Sequence, residues 1–164
     1  SCGFTPRKQV KRGSRIEWEH VMPAHQFGHQ LQCWQDGGRK GCRKDRELKA
    51  MEGDMHNLVP AVGEVNGDRS NYPYAIIEGK DRVYGVCDAE VNFSAKQFEP
   101  APQVRGDIAW IYFYMADRYD VTLKESQRQM FEQCTEADLA TDWEHECHRR
   151  IAEIQGNANP YIDG

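Results

Sequence analysis

No stretch of 18 apolar residues occurs anywhere in this 164-residue chain, so the sequence offers no membrane-spanning helix. The opening residues likewise lack an apolar core of the kind an export signal needs. There is no CxxC pair, which weakens a zinc-ribbon reading, and no internal repeat, low-complexity tract or inter-domain linker. Apolar residues are themselves scarce: 39% of the chain is hydrophobic and 29% is charged, with a mean hydropathy of −0.82. A single domain over residues 1–164 is the expected organisation, since a chain of this length buries about two-thirds of its unfolded surface.

Cysteine is present in an even number: Cys2, Cys33, Cys42, Cys87, Cys134 and Cys147. In a small, polar, loop-rich chain this favours disulfides and an oxidising compartment over metal binding. Cys33 and Cys42 enclose a short loop whose Gly37-Gly38 lets it turn back on itself. The formal net charge of −5 argues against a nucleic-acid partner, but its distribution argues for one. Residues 1–50 hold eleven Lys and Arg against five Asp and Glu, while the remainder holds ten against twenty-one. A basic first third can present a local phosphate-binding face, whereas the plainer reading is a solvated charged surface.

The periodicity reads as α+β with few strands. Arg15 to Val21 alternates as a strand stopped by Pro23, and a long polar segment follows. Met55 to Leu58 reads as a second strand ending before Pro60, and Ala61 to Arg69 as a short helix. Asp107 to Tyr119 is expected to be a buried helix. Thr122 to Glu125 reads as a capping box starting a helix to about Gln133, and Thr141 as the cap of a last helix stopping at Gly156. Pro100 and Pro102 mark a loop before this helical half.

The densest chemistry lies between Glu17 and Asn71: Glu19-His20 at a strand end, Asp54-Met-His56-Asn57-Leu58, then Gly63-Glu-Val-Asn66-Gly-Asp-Arg69-Ser-Asn71. A histidine near its ordinary pKa of about 6.5 can accept a proton at neutral pH. Carboxylate and amide oxygens are hard donors of the kind Mg²⁺ takes. Arginine offers two parallel donors to phosphate oxygens.

Four stretches, Arg15–Ala24, Gln32–Lys40, Met51–Leu58 and Gly63–Asn71, resemble the bacterial endonuclease I family. So do Arg105-Gly106, Tyr112 to Met115, Asp142-Trp143 and Ile154 to Tyr161, so the resemblance covers nearly the whole chain. It implies a ββα-metal (His-Me finger) nuclease core over about residues 15–72 and a mainly helical part over about 104–157. His20 is then the general base, Glu19 and Asn66 the metal ligands, and Arg39 the contact to the scissile phosphate. Glu52 supports the metal, through water in one version, and His56 and Asn57 support the site structurally. The implied cofactor is Mg²⁺, with Mn²⁺ as a substitute. The implied activity is non-specific hydrolysis of double- and single-stranded DNA to 5′-phosphate and 3′-hydroxyl ends, with RNA left open. A periplasmic or secreted monomer without membrane contact is expected. The alternative is a non-catalytic nucleic-acid-binding module on the same scaffold.

Single features also have plainer readings. Asn66-Gly67 on its own is a turn, and Arg39-Lys40 the tip of a solvated loop. Trp18, Trp34, Trp110 and Trp143 are expected to pack rather than stack on bases. His25 with His29, and His145 with His148, have helical spacing for a metal but no third ligand, and are expected at the surface. Relatives in the family carry further cysteines outside the matched span, so their pairing cannot be copied. Cys33–Cys42 is expected from its loop and a Cys134–Cys147 bridge from two adjacent helices, leaving Cys2–Cys87.

Overall fold

The computed structural model describes residues 2–79 and 81–162. In chain order, α1 (Val10–Gly13) and β1 (Ile16–His20) precede three helices, α2 (Ala24–Gly28), α3 (Gln32–Gly41) and α4 (Arg46–Gly53). A 3-10 turn over Met55–Asn57 leads into β2 (Leu58–Val62) and α5 (Gly63–Arg69). There follow β3 (Glu90–Asn92), β4 (Gln97–Glu99), a second 3-10 turn over Pro102–Val104, and the helices α6 (Arg105–Tyr119), α7 (Glu125–Ala137) and α8 (Asp142–Gln155). Among the described residues this is a mixed α+β chain with few short strands, as its periodicity indicated. No helix among them is long and apolar enough to cross a membrane.

Two compact units account for these elements. The first comprises Ser1–Glu19 and Val59–Pro102, the second His20–Leu58 and Gln103–Gly164.

In the first unit β1 is hydrogen-bonded to β2. β2 does not end before Pro60 as expected; it starts at Leu58 and runs through the proline to Val62. A two-stranded sheet gives each strand one unpaired edge, where a residue without an N–H costs no ladder bond. α5 starts at Gly63 rather than Ala61, with the Gly63 amide donating to the Arg15 carbonyl at 3.0 Å. A Cβ at Gly63 would stand 2.6 Å from the Arg12 carbonyl oxygen, so the close approach of α5 to the α1–β1 connection requires glycine. Glu64 on α5 is fully buried and accepts from the amides of Arg7, Lys8 and Gln9 at 2.9, 2.6 and 2.6 Å. Asp68, one turn on, takes both Nε and Nη2 of Arg7 at 3.2 and 3.0 Å and the Tyr84 hydroxyl at 2.8 Å. The basic opening segment is thus pinned to α5 and forms one helical turn, α1. The antiparallel pair β3–β4 aligns Val91 with Phe98, both buried alongside Tyr74, Tyr84 and Cys87. The Cys2–Cys87 bridge closes this unit.

In the second unit the polar segment after Pro23 forms α2, α3 and α4. Few apolar residues mark them: α2 buries Phe27, α4 buries Leu48 and Met51, and α3 buries none. Asp45 caps α4 by accepting from the Leu48 amide at 2.8 Å. α3 breaks at Gly37-Gly38, where Gly38 has a φ of 60°, and the Cys33–Cys42 bridge closes across that break.

The long helix α6 buries Ala109, Tyr112 and Met115 completely. The Thr122–Glu125 capping box does not form. α7 starts at Glu125 and continues to Ala137, while the Thr122 amide donates to the Gln30 side chain at 3.1 Å. The Thr141 box does form, reciprocally with Glu144, and α8 ends at Gly156 with a φ of 86°.

Two further expectations are corrected. Cys134 and Cys147 are free thiols. α7 packs chiefly on α6 and α8 on the Met55–Asn57 turn, so the two helices are not held face to face where a bridge would form. Trp18 and Trp143 do not pack either; they are 72% and 70% exposed, whereas Trp110 is buried and Trp34 half-buried against Gly28. Trp18 lies on the side of β1 away from Glu17 and Glu19, whose side is the one α5 engages.

Candidate catalytic residues

β1 runs through His20, and the two units divide there, with Glu19 in the first and His20 in the second. In the first unit Glu19 receives the Arg69 guanidinium, Nη1 to Oε1 at 3.1 Å, with side-chain exposures of 2% for Arg69 and 11% for Glu19. Asn66, on α5, donates through Nδ2 to Glu17 Oε2 and to the Trp18 carbonyl, both at 3.4 Å. The Arg12 and Arg15 side chains both bind Glu17 and hold its carboxyl down at about 2, well below the ordinary range. This carboxylate stays ionised throughout the physiological range and keeps Asn66 oriented.

The second unit gathers His20, Arg39 and Glu52. His20 Nε2 lies 2.8 Å from the Glu52 backbone carbonyl, and its ring meets Phe27 edge-on at 6.2 Å between centroids. A carbonyl can only accept, so in the neutral ring Nε2 carries the proton and Nδ1 the lone pair. Arg39 binds the Glu52 carboxylate through Nε and Nη2, at 2.8 and 2.7 Å, and is 62% exposed along its side chain.

Below His20 the backbone is clamped by Asn57, which is fully buried. Its side chain accepts from the Met22 amide at 2.7 Å and donates to the Met22 carbonyl at 3.0 Å, while its own carbonyl takes the Val21 amide at 3.0 Å. His56 is equally buried, with Nε2 at 2.9 Å from the Asn157 carbonyl and Nδ1 at 3.2 Å from His148 Nδ1. Both ring nitrogens are committed to the interior, which leaves His56 no geometry for a general base. His25, His29 and His145 are exposed, as expected, and His148 is half-buried against His56.

Sequence reading missed Asp54, which is buried and organises the end of α4. It accepts from the Tyr114 and Tyr119 hydroxyls at 2.7 and 2.8 Å and from Gln155 at 2.9 Å. Glu17, Glu64, Asp68 and Arg69 were missed as well. A strand with carboxylates at alternate positions, Glu17 and Glu19, was the one available signal that cations would be needed beside it.

No three His, Cys, Asp or Glu side chains gather as a metal centre among the described residues. The donor set that the first unit offers is a carboxylate and an amide oxygen. Because Asn66 Nδ2 is spent on Glu17 and Trp18, its Oδ1 is turned the other way, as a ligand oxygen requires. Two hard oxygen donors fit Mg²⁺, which retains several waters and rarely takes an all-protein cage.

The family model described as Endonuclease I matches residues 1–164. A periplasmic deoxyribonuclease of Aeromonas hydrophila is 53% identical over 164 residues, a match covering 99% of this chain and 69% of that protein. An extracellular deoxyribonuclease of the same species is also 53% identical, with 99% and 71% covered. Endonuclease-1 of Buchnera aphidicola subsp. Acyrthosiphon pisum is 48% identical over 162 residues, with 99% and 65% covered. With its motifs spread over both units and its full length matched, the chain belongs to the endonuclease I family.

Proposed function

We propose that this chain is a periplasmic or secreted endonuclease that hydrolyses DNA, with a ββα-metal core in which His20 is the general base and Glu19 and Asn66 hold one divalent ion. The family and the deoxyribonuclease names of its relatives support the activity and the compartment. The observation that carries the mechanism is the Nε2 contact of His20 to the Glu52 carbonyl at 2.8 Å. It fixes the tautomer, which puts the lone pair of the neutral ring, the proton acceptor, on Nδ1.

His20 takes a proton from water through Nδ1 as the oxygen attacks phosphorus in line with the departing 3′ oxygen. The resulting imidazolium keeps its Nε2–H bond to the Glu52 carbonyl, so the ring does not turn on protonation. Arg39 is the phosphate contact. It is exposed along its side chain and already oriented by Glu52, and its guanidinium strengthens where negative charge builds. Glu52 therefore contributes twice, its carbonyl to His20 and its carboxylate to Arg39, besides its proposed support of the ion. Bound by Glu19 and Asn66, Mg²⁺ or Mn²⁺ would offset charge on the phosphate and on the departing oxygen, which takes its proton from solvent water as the P–O3′ bond breaks. The products are 5′-phosphate and 3′-hydroxyl ends. Contacts mainly to the backbone make the enzyme indifferent to sequence, on double- and single-stranded DNA, with RNA as a further substrate to be tried.

Supercoiled plasmid incubated with Mg²⁺, with EDTA and with His20→Ala tests this reading. Nicking by the parent should vanish with EDTA. It should fall by at least about a hundredfold in His20→Ala with DNA binding retained, the scale of a lost general base. Cleavage that persists at the parent rate in His20→Ala sinks the assignment.

A further inference from the structure

The structure divides the eleven Lys and Arg of residues 1–50 into those that have found carboxylates and those that have not. In the first unit Arg7 is bound to Asp68, and Arg12 and Arg15 to Glu17. In the second unit Arg39 is bound to Glu52. The cations that follow it, Lys40, Arg43, Lys44, Arg46 and Lys49, are all exposed, and none meets a carboxylate among the described residues. Residues 40–49 hold five Lys and Arg against two Asp and Glu, and one of those two, Asp45, is turned to the Leu48 amide as the cap of α4.

α4 lays this charge out towards the proposed catalytic residues. Leu48 and Met51 are buried on one side of the helix, and Arg46, Lys49, Ala50 and Gly53 form an exposed stripe on the other. A Cβ at Gly53 would meet nothing within 4 Å, so the stripe is open at its far end. There Glu52 holds His20 through its carbonyl and Arg39 through its carboxylate. Between Arg46 and Glu52 the helix axis advances about 9 Å, at about 1.5 Å per residue. A DNA strand places its phosphates about 3.4 Å apart along the duplex axis, so this length matches about two to three of them.

We infer that the stretch from Lys40 to Lys49, with the exposed stripe of α4, is a docking surface for the phosphate backbone of the DNA strand flanking the cleavage point. This rests on the reading of the chain as a DNA endonuclease with Arg39 at the scissile phosphate. The chain is acidic overall, at −5, so it attracts a polyanion only where cations are concentrated and left without carboxylates. Ala50 and Gly53 then carry the stripe to the reacting phosphate with no long side chain to hold the backbone off. Each phosphate neutralised releases counter-ions, so the logarithm of affinity falls against the logarithm of salt concentration with a slope of about 0.9 per contact.

The test is binding of the whole protein to a labelled duplex in EDTA, where no strand is cut, followed by fluorescence anisotropy over a series of NaCl concentrations. The parent is compared with a triple variant, Arg43→Gln with Arg46→Gln and Lys49→Gln. A control variant removes the same charge from exposed positions elsewhere, Lys96→Gln with Lys124→Gln and Arg128→Gln. Circular dichroism checks that each is folded. The Lys40–Lys49 variant should bind at least about tenfold more weakly at low salt, and its salt slope should fall by about 2–3. Each single substitution should lower the slope by about 1, and equally on duplexes of unrelated sequence. The control should keep the parent slope.

An unchanged slope in the folded triple variant, or an equal fall in the control, overturns the docking surface and leaves the endonuclease reading standing. So does a parent that nicks plasmid with Mg²⁺ yet fails to bind DNA in EDTA, since backbone contacts by cations need no metal. A parent that neither binds nor nicks DNA removes the endonuclease reading and this inference with it.

Discussion

Replacing Glu64 by glutamine should be one of the most damaging single-atom changes available in this protein. Glu64 is fully buried, with Oε1 accepting from the amides of Lys8 and Gln9, both at 2.6 Å, and Oε2 from that of Arg7 at 2.9 Å. Burial alone would raise its pKa, but the three amides outweigh burial and hold it below the ordinary 4.5. Glutamine can keep one oxygen where Oε1 stands, but its NH₂ then faces the Arg7 N–H, donor against donor. Two charge-assisted bonds become neutral and a third is lost with its donor left unsatisfied, which costs about 3 kcal/mol in total at roughly 1–3 kcal/mol per bond. For a domain of this size about 1 kcal/mol moves Tm by roughly 2–4 °C, so Glu64→Gln should melt about 6–12 °C lower.

Urea unfolding followed by circular dichroism at pH 7 measures the difference directly. The folded pKa is depressed, so the stabilisation is present above the unfolded value of 4.5 and is lost as pH falls through the folded pKa. The gap between parent and variant should therefore narrow in acid. A loss below about 1 kcal/mol at pH 7 would mean that the opening segment is not anchored through Glu64, and would refute this account of α5.

Tyr114→Phe removes a hydroxyl that donates to Asp54 and accepts from Asn157, both at 2.7 Å, and should cost about 1–3 kcal/mol in the same unfolding assay. Unchanged stability would show Asp54 to be satisfied without it. Gly63→Ala places a methyl 2.6 Å from the Arg12 carbonyl oxygen and should destabilise by about 1–3 kcal/mol, so a neutral melt would contradict the close approach of α5. Burial, with Glu144 and Asp138 nearby, pushes the Asp107 carboxyl up to about 8 from an ordinary 3.8. Its folded pKa lies above the unfolded one, so its contribution is greatest in acid and is lost as pH rises through that window. Asp107→Asn should accordingly melt higher than the parent at pH 9 and no higher at pH 5; a pH-independent difference would refute the assignment.

The legible parts of the fold were the ones encoded by neighbours in sequence. β1 showed in its alternation, α6 in its apolar face and α8 in its Thr141 cap, each a relation within a few residues. The helices α2, α3 and α4 were illegible because a helix of five to ten residues that buries at most two apolar side chains leaves almost no periodic signal. The Thr122 box misled for the same reason: four residues of favourable chemistry cannot tell whether the Thr122 amide will find Gln30 instead, 92 positions away.

The candidate site divides the same way. His20, Glu19, Asn66 and Arg39 stand in dense local motifs, and those residue types alone carry proton transfer, metal ligation and phosphate contact. What each does depends on partners that no local pattern names: the Glu52 carbonyl fixes which nitrogen of His20 is basic, Glu17 turns Asn66, and Arg69 reaches Glu19 across 50 positions.

The sequence by itself determined the chemical inventory, the polar character and the family, because these reside in residue identity and order. Only the tertiary structure decided that Cys134 and Cys147 stay free, and that both ring nitrogens of His56 are spent in the interior while Nε2 of His20 meets the Glu52 carbonyl. Only it decided that a buried carboxylate anchors the basic opening segment. Those outcomes depend on which groups lose their water together, and desolvation is a property of the packed chain rather than of any stretch of it.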